Sequence, residues 1–396
     1  MNISKRSERI SNLTPCKWGS ITKSDKILFL SHIYPPGVDG GSQIVKKIKE
    51  GYEKEGKETL VITSDGYSTD DFVLPNKKRI TTPKASQLGG QGDTIRIKTL
   101  RRPKKLMRRI VGPVFFGFPW LKVIRWRPDL IVGGVYPTTI PIYVWLCSKL
   151  TGAKLGLVPC FHREDKSFYR WPLIPILKSA DLIYALTESE KVFYQSKFKI
   201  HDSRIKVFRP RVDKELVLPR NKPAPFPKVP TILYLGNQAA HKRIIMLIKA
   251  FELLITKRKY LGTKLIIAGK RTLYSPEIDK YISTLPEDIK ENIDLRGEYN
   301  RDEEKLLLDQ ATVLVNPSKH ESLGLVFLEA WARKKPVIGA DLLSLQELIS
   351  VGENGLLFEK ESVRDLSDKI IEVISDQVLA RKMGERGYRK VMINDL

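Results

Sequence analysis

The chain is poor in cysteine, has far less acid than base, and contains no long apolar run. Its 396 residues include three cysteines, Cys16, Cys147 and Cys160. An odd number at wide spacing argues against a disulfide framework and a cysteine-based metal site, and fits a reducing cytoplasm. No stretch approaches the ~20 apolar residues needed to span a bilayer. The best candidates, Ile110–Leu121 and Ile140–Leu146, are too short. Residues 1–25 are polar, carry Lys5, Arg6 and Arg9, and lack the apolar core of a signal peptide. They read as a polar mobile tail.

What is abundant is positive charge, and it is unevenly spread. The net charge is +24. Residues 1–213 hold 39 Lys/Arg against 19 Asp/Glu, a surplus of +20; the rest of the chain holds 30 against 26. A basic N-terminal half attracts polyanions such as anionic lipid, lipid pyrophosphate or nucleic acid.

Strand-like and helix-like runs alternate, which predicts an α/β fold with parallel sheets. Lys26–Leu30, Glu58–Thr63, Pro128–Val132, Ala153–Val158, Asp181–Leu186 and Ile205–Phe208 read as strands, with a glycine turn at Val38–Gly41 and a helix over Gln43–Glu55. Five prolines between Pro219 and Pro230 then mark a linker and hinge. A second series follows, with strands at Thr231–Leu235, Thr263–Ala268, Ile293–Arg296, Ala311–Asn316 and Pro336–Gly339. The expected organisation is an N-terminal domain over 26–213, a proline-rich linker over 214–230 and a C-terminal domain over 231–396. Ligands of open α/β sheets bind at the carboxyl ends of the strands, so two such domains face each other across a cleft.

The densest chemistry lies in Pro317–Glu329, PSKHESLGLVFLE. A strand ends in a loop, and a helix begins near Gly324. Backbone N–H groups at a helix N-terminus seat phosphate or sugar oxygens, and a glycine lets the backbone come close. Glu321 and Glu329 are carboxylates of the kind that accept paired hydroxyls of a sugar or ribose. Each taken alone could equally be a first-turn charge or an ion-paired helix residue.

ESLGLVFLEA resembles the E-x7-E signature of the retaining GT-B glycosyltransferases of family 4. Glu321, Gly324, Leu325, Leu328, Glu329 and Ala330 match it, and a Pro336–Val337–Ile338 strand follows. Leu235–Gly236, His241–Lys242 and Ala250–Phe251 resemble a second block, Leu265–Gly269 a third, and Asn354–Leu357 a fourth, while Gly40–Gly41 resemble the first-loop glycines. The resemblance runs from about Lys26 to Arg389 and implies two Rossmann-like domains, an N-terminal acceptor domain and a C-terminal donor domain. It implies donor-binding roles for Gly40, Gly41, Gly236, Lys242, Arg243, Glu321, Ser322, Gly324, Leu325 and Glu329, and catalytic roles for His162, Lys242 and Glu321. Glu321 would hold the transferred sugar, Glu329 the ribose and Lys242 the leaving diphosphate, with no metal required. The donor would be a UDP-, GDP- or ADP-sugar, and the reaction a retaining hexosyl transfer.

The sequence departs from this pattern in places. Asn237 stands where the family has arginine, leaving Arg243 or Arg271 to supply the second phosphate cation. Arg243 and Lys334 stand where the family has glycine. Little chain follows the last block, where a final helix would return to the N-terminal domain. These departures keep open a non-catalytic nucleotide-sugar-binding subunit, and an epimerase on the same scaffold is a further alternative.

Residues 94–128 carry 11 Lys/Arg and no acid, with Phe115, Phe116, Phe118 and Trp120 between the basic groups. Rings at headgroup depth and cations on anionic lipid suit a peripheral membrane surface. A lipid-linked or glycan acceptor is expected, at the inner face of the membrane. The other reading is a solvated basic face over a buried aromatic cluster. No zinc, helix-turn-helix or RNA-binding signature accompanies the charge.

Overall fold

The computed structural model describes residues 25–35, 40–66, 93–100, 112–257 and 260–393. The N-terminal tail before Asp25 and the basic run Arg101–Arg109 lie outside these.

The first sheet is built from β1 (Lys26–Ser31), β2 (Glu58–Ser64), β3 (Thr94–Ile97), β4 (Leu130–Gly134), β5 (Lys154–Val158), β6 (Leu182–Ala185) and β7 (Ile205–Val207). Its order is β3-β2-β1-β4-β5-β6-β7, and all pairings are parallel. The second contains β8 (Thr231–Leu235), β9 (Lys264–Ala268), β10 (Ile293–Leu295), β11 (Val313–Asn316), β12 (Val337–Ala340) and β13 (Gly355–Phe358). Its order is β10-β9-β8-β11-β12-β13, again all parallel.

Helices of the first domain are α1 (Gly40–Lys54), α2 (Trp120–Trp126), α3 (Ile140–Thr151), α4 (Leu173–Ser179) and α5 (Glu188–Phe198). Those of the second are α6 (Ile244–Thr256), α7 (Ser275–Ser283), α8 (Glu287–Lys290), α9 (Arg301–Gln310), α10 (Leu325–Ala332), α11 (Leu343–Leu348), α12 (Val363–Ser375) and α13 (Gln377–Ile393).

Continuous apolar runs make the central strands because both faces of a parallel sheet are covered by helices. In β8 every residue of TILYL is buried. Each such Leu, Ile or Phe contributes about 1.5–3 kcal/mol by leaving water. The strand order reverses between β1 and β4 and again between β8 and β11. These two switch points place the carboxyl ends of β1, β4, β8 and β11 around one space.

Two strands were not evident from pattern. β3 is four residues with Arg96 in its middle, inside the basic segment. β13 overlaps the Asn354–Leu357 block. The glycines at 40 and 41 begin α1 rather than lying in a turn.

A row of side chains fastens the proline-rich segment to the C-terminal domain. Lys334 Nζ donates to the carbonyls of Arg220 (3.0 Å) and Lys222 (2.9 Å). Lys335, fully buried, donates to the carbonyls of Pro225, Asp309 and Ala311 and sits 4.7 Å from the Phe226 ring. The Tyr388 hydroxyl donates to the Leu218 carbonyl at 2.8 Å.

The aromatic cluster of 94–128 is divided. Phe115 and Phe118 are buried and pack on Tyr143 at 4.9 and 5.1 Å. Their rings therefore belong to the core, which corrects the expectation that they face a membrane. Phe116 (69% exposed), Leu121 (70%) and Ile124 (40%) remain on the surface. Among the described residues no helix is long and apolar enough to cross a membrane.

Candidate functional site

The space at the two switch points is a cavity of about 560 Å³ lined by both domains. The N-terminal domain contributes Gly40 and Gly41 after β1, Val135 and Tyr136 after β4, and Cys160 and His162 after β5. The C-terminal domain contributes Gly236, Asn237 and Lys242 after β8, and Asn316 with residues 320–326 and Glu329 after β11. Every residue expected at the site lines this cavity except Arg243.

Arg243 is a correction. It takes the left-handed backbone conformation, φ 53°, between a single turn of helix and α6, and its guanidinium pairs with Glu361. Arg271 also turns elsewhere, to Asp279. Neither Arg243 nor Arg271 lines the cavity. Lys334 likewise has φ 57°. Both positions need the conformation that glycine adopts most easily, so the substitutions keep the turn and anchor it with a side chain.

Lys242 Nζ and Glu321 Oε2 form an ion pair at 3.1 Å, and Asn316 Nδ2 donates to the same oxygen at 3.4 Å. Burial alone would raise the Glu321 carboxyl; Lys242, with smaller help from His162 and His241, outweighs it and holds the group below its usual range. The carboxylate is therefore charged at neutral pH.

His162 joins the domains. Ser322 Oγ donates to the Cys160 carbonyl at 3.1 Å, so it accepts from His162 Nε2 at 3.0 Å. This assignment makes Nδ1 an acceptor. Burial pushes the imidazole down to about 4, against the pull of Glu321. His162 is neutral at pH 7, stacked between Phe168 and His320 with ring centroids at 4.9 and 5.6 Å.

Two helices present their first residues to the cavity, α1 through Gly40 and Gly41 and α10 through Leu325 and Val326. Neither has an acidic residue in its first turn, so their partial positive charge is uncompensated. Gly324 supplies the entry to α10 at φ 78°, and a Cβ there would lie 2.5 Å from the Phe327 ring.

Glu329 lines the cavity with Oε1 3.2 Å from Arg301, which was not foreseen from sequence. Arg301 opens α9, where Asn300 and Glu303 form a capping box. A cation in the first helical turn opposes the helix dipole. That misfit is the signal that could have flagged it.

Residues 219–390 match the family model described as Glycosyl transferases group 1. The poly(ribitol-phosphate) alpha-N-acetylglucosaminyltransferase of Staphylococcus aureus is 26% identical over 246 residues, 60% of this chain and 47% of that protein. An uncharacterized glycosyltransferase of Methanocaldococcus jannaschii is 33% identical over 142 residues, 35% and 38% of the two chains. The chain thus spans about half or less of the length of these curated relatives. Among solved structures, Anabaena HepE in complex with UDP and glucose has a TM-score of 0.69 at 16% identity, covering 94% of this chain and 97% of that one. The lipopolysaccharide-biosynthesis glycosyltransferase WaaG has 0.62 at 13%, covering 92% and 95%.

Proposed function

We propose, for a chain whose residues 219–390 match the glycosyl transferases group 1 family model and whose two domains make the GT-B fold, that it transfers a hexosyl group from a nucleotide sugar to an acceptor hydroxyl with retention. The observation that carries this is the convergence of Lys242, Glu321, Glu329, His162 and two helix N-termini on one interdomain cavity. Glycosyl transfer builds negative charge on the departing diphosphate while the sugar becomes oxocarbenium-like. Lys242 and the amides of α1 and α10 stabilise the first, and the Glu321 carboxylate holds the sugar. Glu329 takes the ribose hydroxyls. Because these groups supply the charge, activity is expected to survive chelation by EDTA.

UDP-sugars are the first donors to test, since the Anabaena neighbour was solved with UDP; GDP and ADP donors follow. The acceptor is read as lipid-linked or a cell-surface glycan. Phe116, Leu121 and Ile124, beside the exposed cations Lys122 and Arg125, form a surface suited to anionic lipid headgroups at the inner face of a membrane.

The test is a thermal-shift screen with UDP, GDP and ADP on the native chain and on Glu329→Ala. One nucleotide should raise the melting temperature, and the variant should lose that rise. No shift with any of them would remove the reading. A product whose anomeric configuration is opposite to the donor's would remove retention alone. Release of free sugar from the donor separates a transferase from a non-catalytic binding subunit.

A further inference from the structure

Behind Glu329 a line of ion pairs crosses from one domain to the other. Arg301 Nη1 contacts Glu329 Oε1 at 3.2 Å and Glu304 Oε2 at 2.5 Å, while its Nη2 reaches Asp213 Oδ2. Asp213 Oδ1 takes Lys47 Nζ at 2.6 Å. Lys47 lies on α1, the helix whose first residues line the cavity, and Asp213 lies on the stretch that leads from the N-terminal sheet to the second domain. Burial, then Glu329, pushes the Glu304 carboxyl up, while Arg301 pulls it back down. Asp213, by contrast, is held down by Lys47 and Arg301 against the effect of burial. The line therefore alternates in sign: Lys47 positive, Asp213 negative, Arg301 positive, Glu329 negative. An arginine at the start of α9 is opposed by the helix dipole, and only the Glu304 pair, three residues on in the same helix, is local. The carboxylates around it are what hold it there.

We propose that Arg301 is a positioning residue that fixes Glu329 for the donor nucleotide, and that Asp213 and Lys47 make this fixing depend on contact between the two domains. The proposal rests on the reading of the cavity as a donor site. A change in the N-terminal domain then alters affinity for a nucleotide seated on the C-terminal domain. By linkage, the nucleotide strengthens the domain contact by the same factor.

The experiment is calorimetric titration of the full chain with UDP, GDP and ADP, followed by Lys47→Met, Asp213→Asn and the double variant with whichever nucleotide binds. Each single variant should weaken Kd about fivefold, within the usual range of coupling between sites. The double variant should bind no more weakly than the poorer single one, because both break the same line. Melting without nucleotide checks that each variant is folded; if Asp213→Asn is not, Lys47→Met decides alone. Unchanged affinity in Lys47→Met, or losses that multiply in the double variant, would overturn the proposal and leave the donor-site reading standing. A native chain that binds none of the three nucleotides overturns both.

Discussion

At the scale of single residues, two kinds of side chain carry cost that only their surroundings offset. His162 and His241 are both pushed down to about 4, chiefly by burial, from an ordinary 6.5. The unfolded chain therefore binds more protons than the folded one between these values. Their contribution to stability is complete above pH 6.5 and is lost as pH falls towards 4. Melting temperature should drop steeply across that window, and His162→Gln should flatten the slope; an equal slope in the variant would sink the idea. Arg243 illustrates backbone strain. A non-glycine residue in the left-handed region costs of order 1 kcal/mol, so Arg243→Gly should lower stability by no more than ~0.5 kcal/mol, even though the exposed Glu361 partner is lost, because exposed pairs contribute little. Chemical denaturation measures this directly, and a loss of several kcal/mol would mean the side chain anchors more than the turn.

At the scale of elements, the C-terminal domain is held by close backbone approach and by clamped chain. Helix α13 meets α10 through small residues: a Cβ at Gly387 would lie 2.0 Å from the Trp331 ring, and one at Gly384 would lie 2.0 Å from the Lys334 carbonyl. Gly387→Ala should therefore destabilise by ~1–3 kcal/mol through overpacking. The linker clamp is tested by Lys335→Met, which keeps the volume but strands the carbonyls of Pro225, Asp309 and Ala311. A loss of ~3 kcal/mol is expected from burying acceptors without donors, together with faster proteolysis at 219–230. Unchanged cleavage there would show that the clamp does not hold the segment.

At the scale of the whole molecule, directed polar contacts join the two domains beside an apolar one. Glu347 of α11 accepts from the backbone N–H of Glu188 (2.8 Å) and Ser189 (2.9 Å), capping α5 of the other domain. Lys360 pairs with Glu164 at 2.9 Å, and Leu323 joins the N-terminal core cluster. A carboxylate at a helix N-terminus stabilises by ~0.3–2 kcal/mol. Glu347→Ala should thus leave both domains folded but loosen their contact. Small-angle scattering should report a larger radius of gyration, reversed by saturating nucleotide; an unchanged radius would assign the closed arrangement to other contacts.

The chain's own order of residues determined a good deal. Apolar runs made TILYL, set between Pro230 and Gly236, and KILFL strands, since burial on both sheet faces tolerates little else. The pair Glu321 and Glu329 with Gly324 between them was legible because the loop and helix that hold them are local. The surroundings of that pair were decided by tertiary structure. Arg301 reaches Glu329 from 28 positions away, and Asp213 from farther still. Phe115 turns inward while Phe116 faces out because Tyr143, on another element, offers a partner to only one of them. The proline-rich segment looks free in sequence, and it is the buried Lys334 and Lys335, more than 100 residues later, that tie it down. Composition and periodicity carry information over a few residues; charge pairing, burial and the meeting of two domains depend on distances that only the folded chain sets.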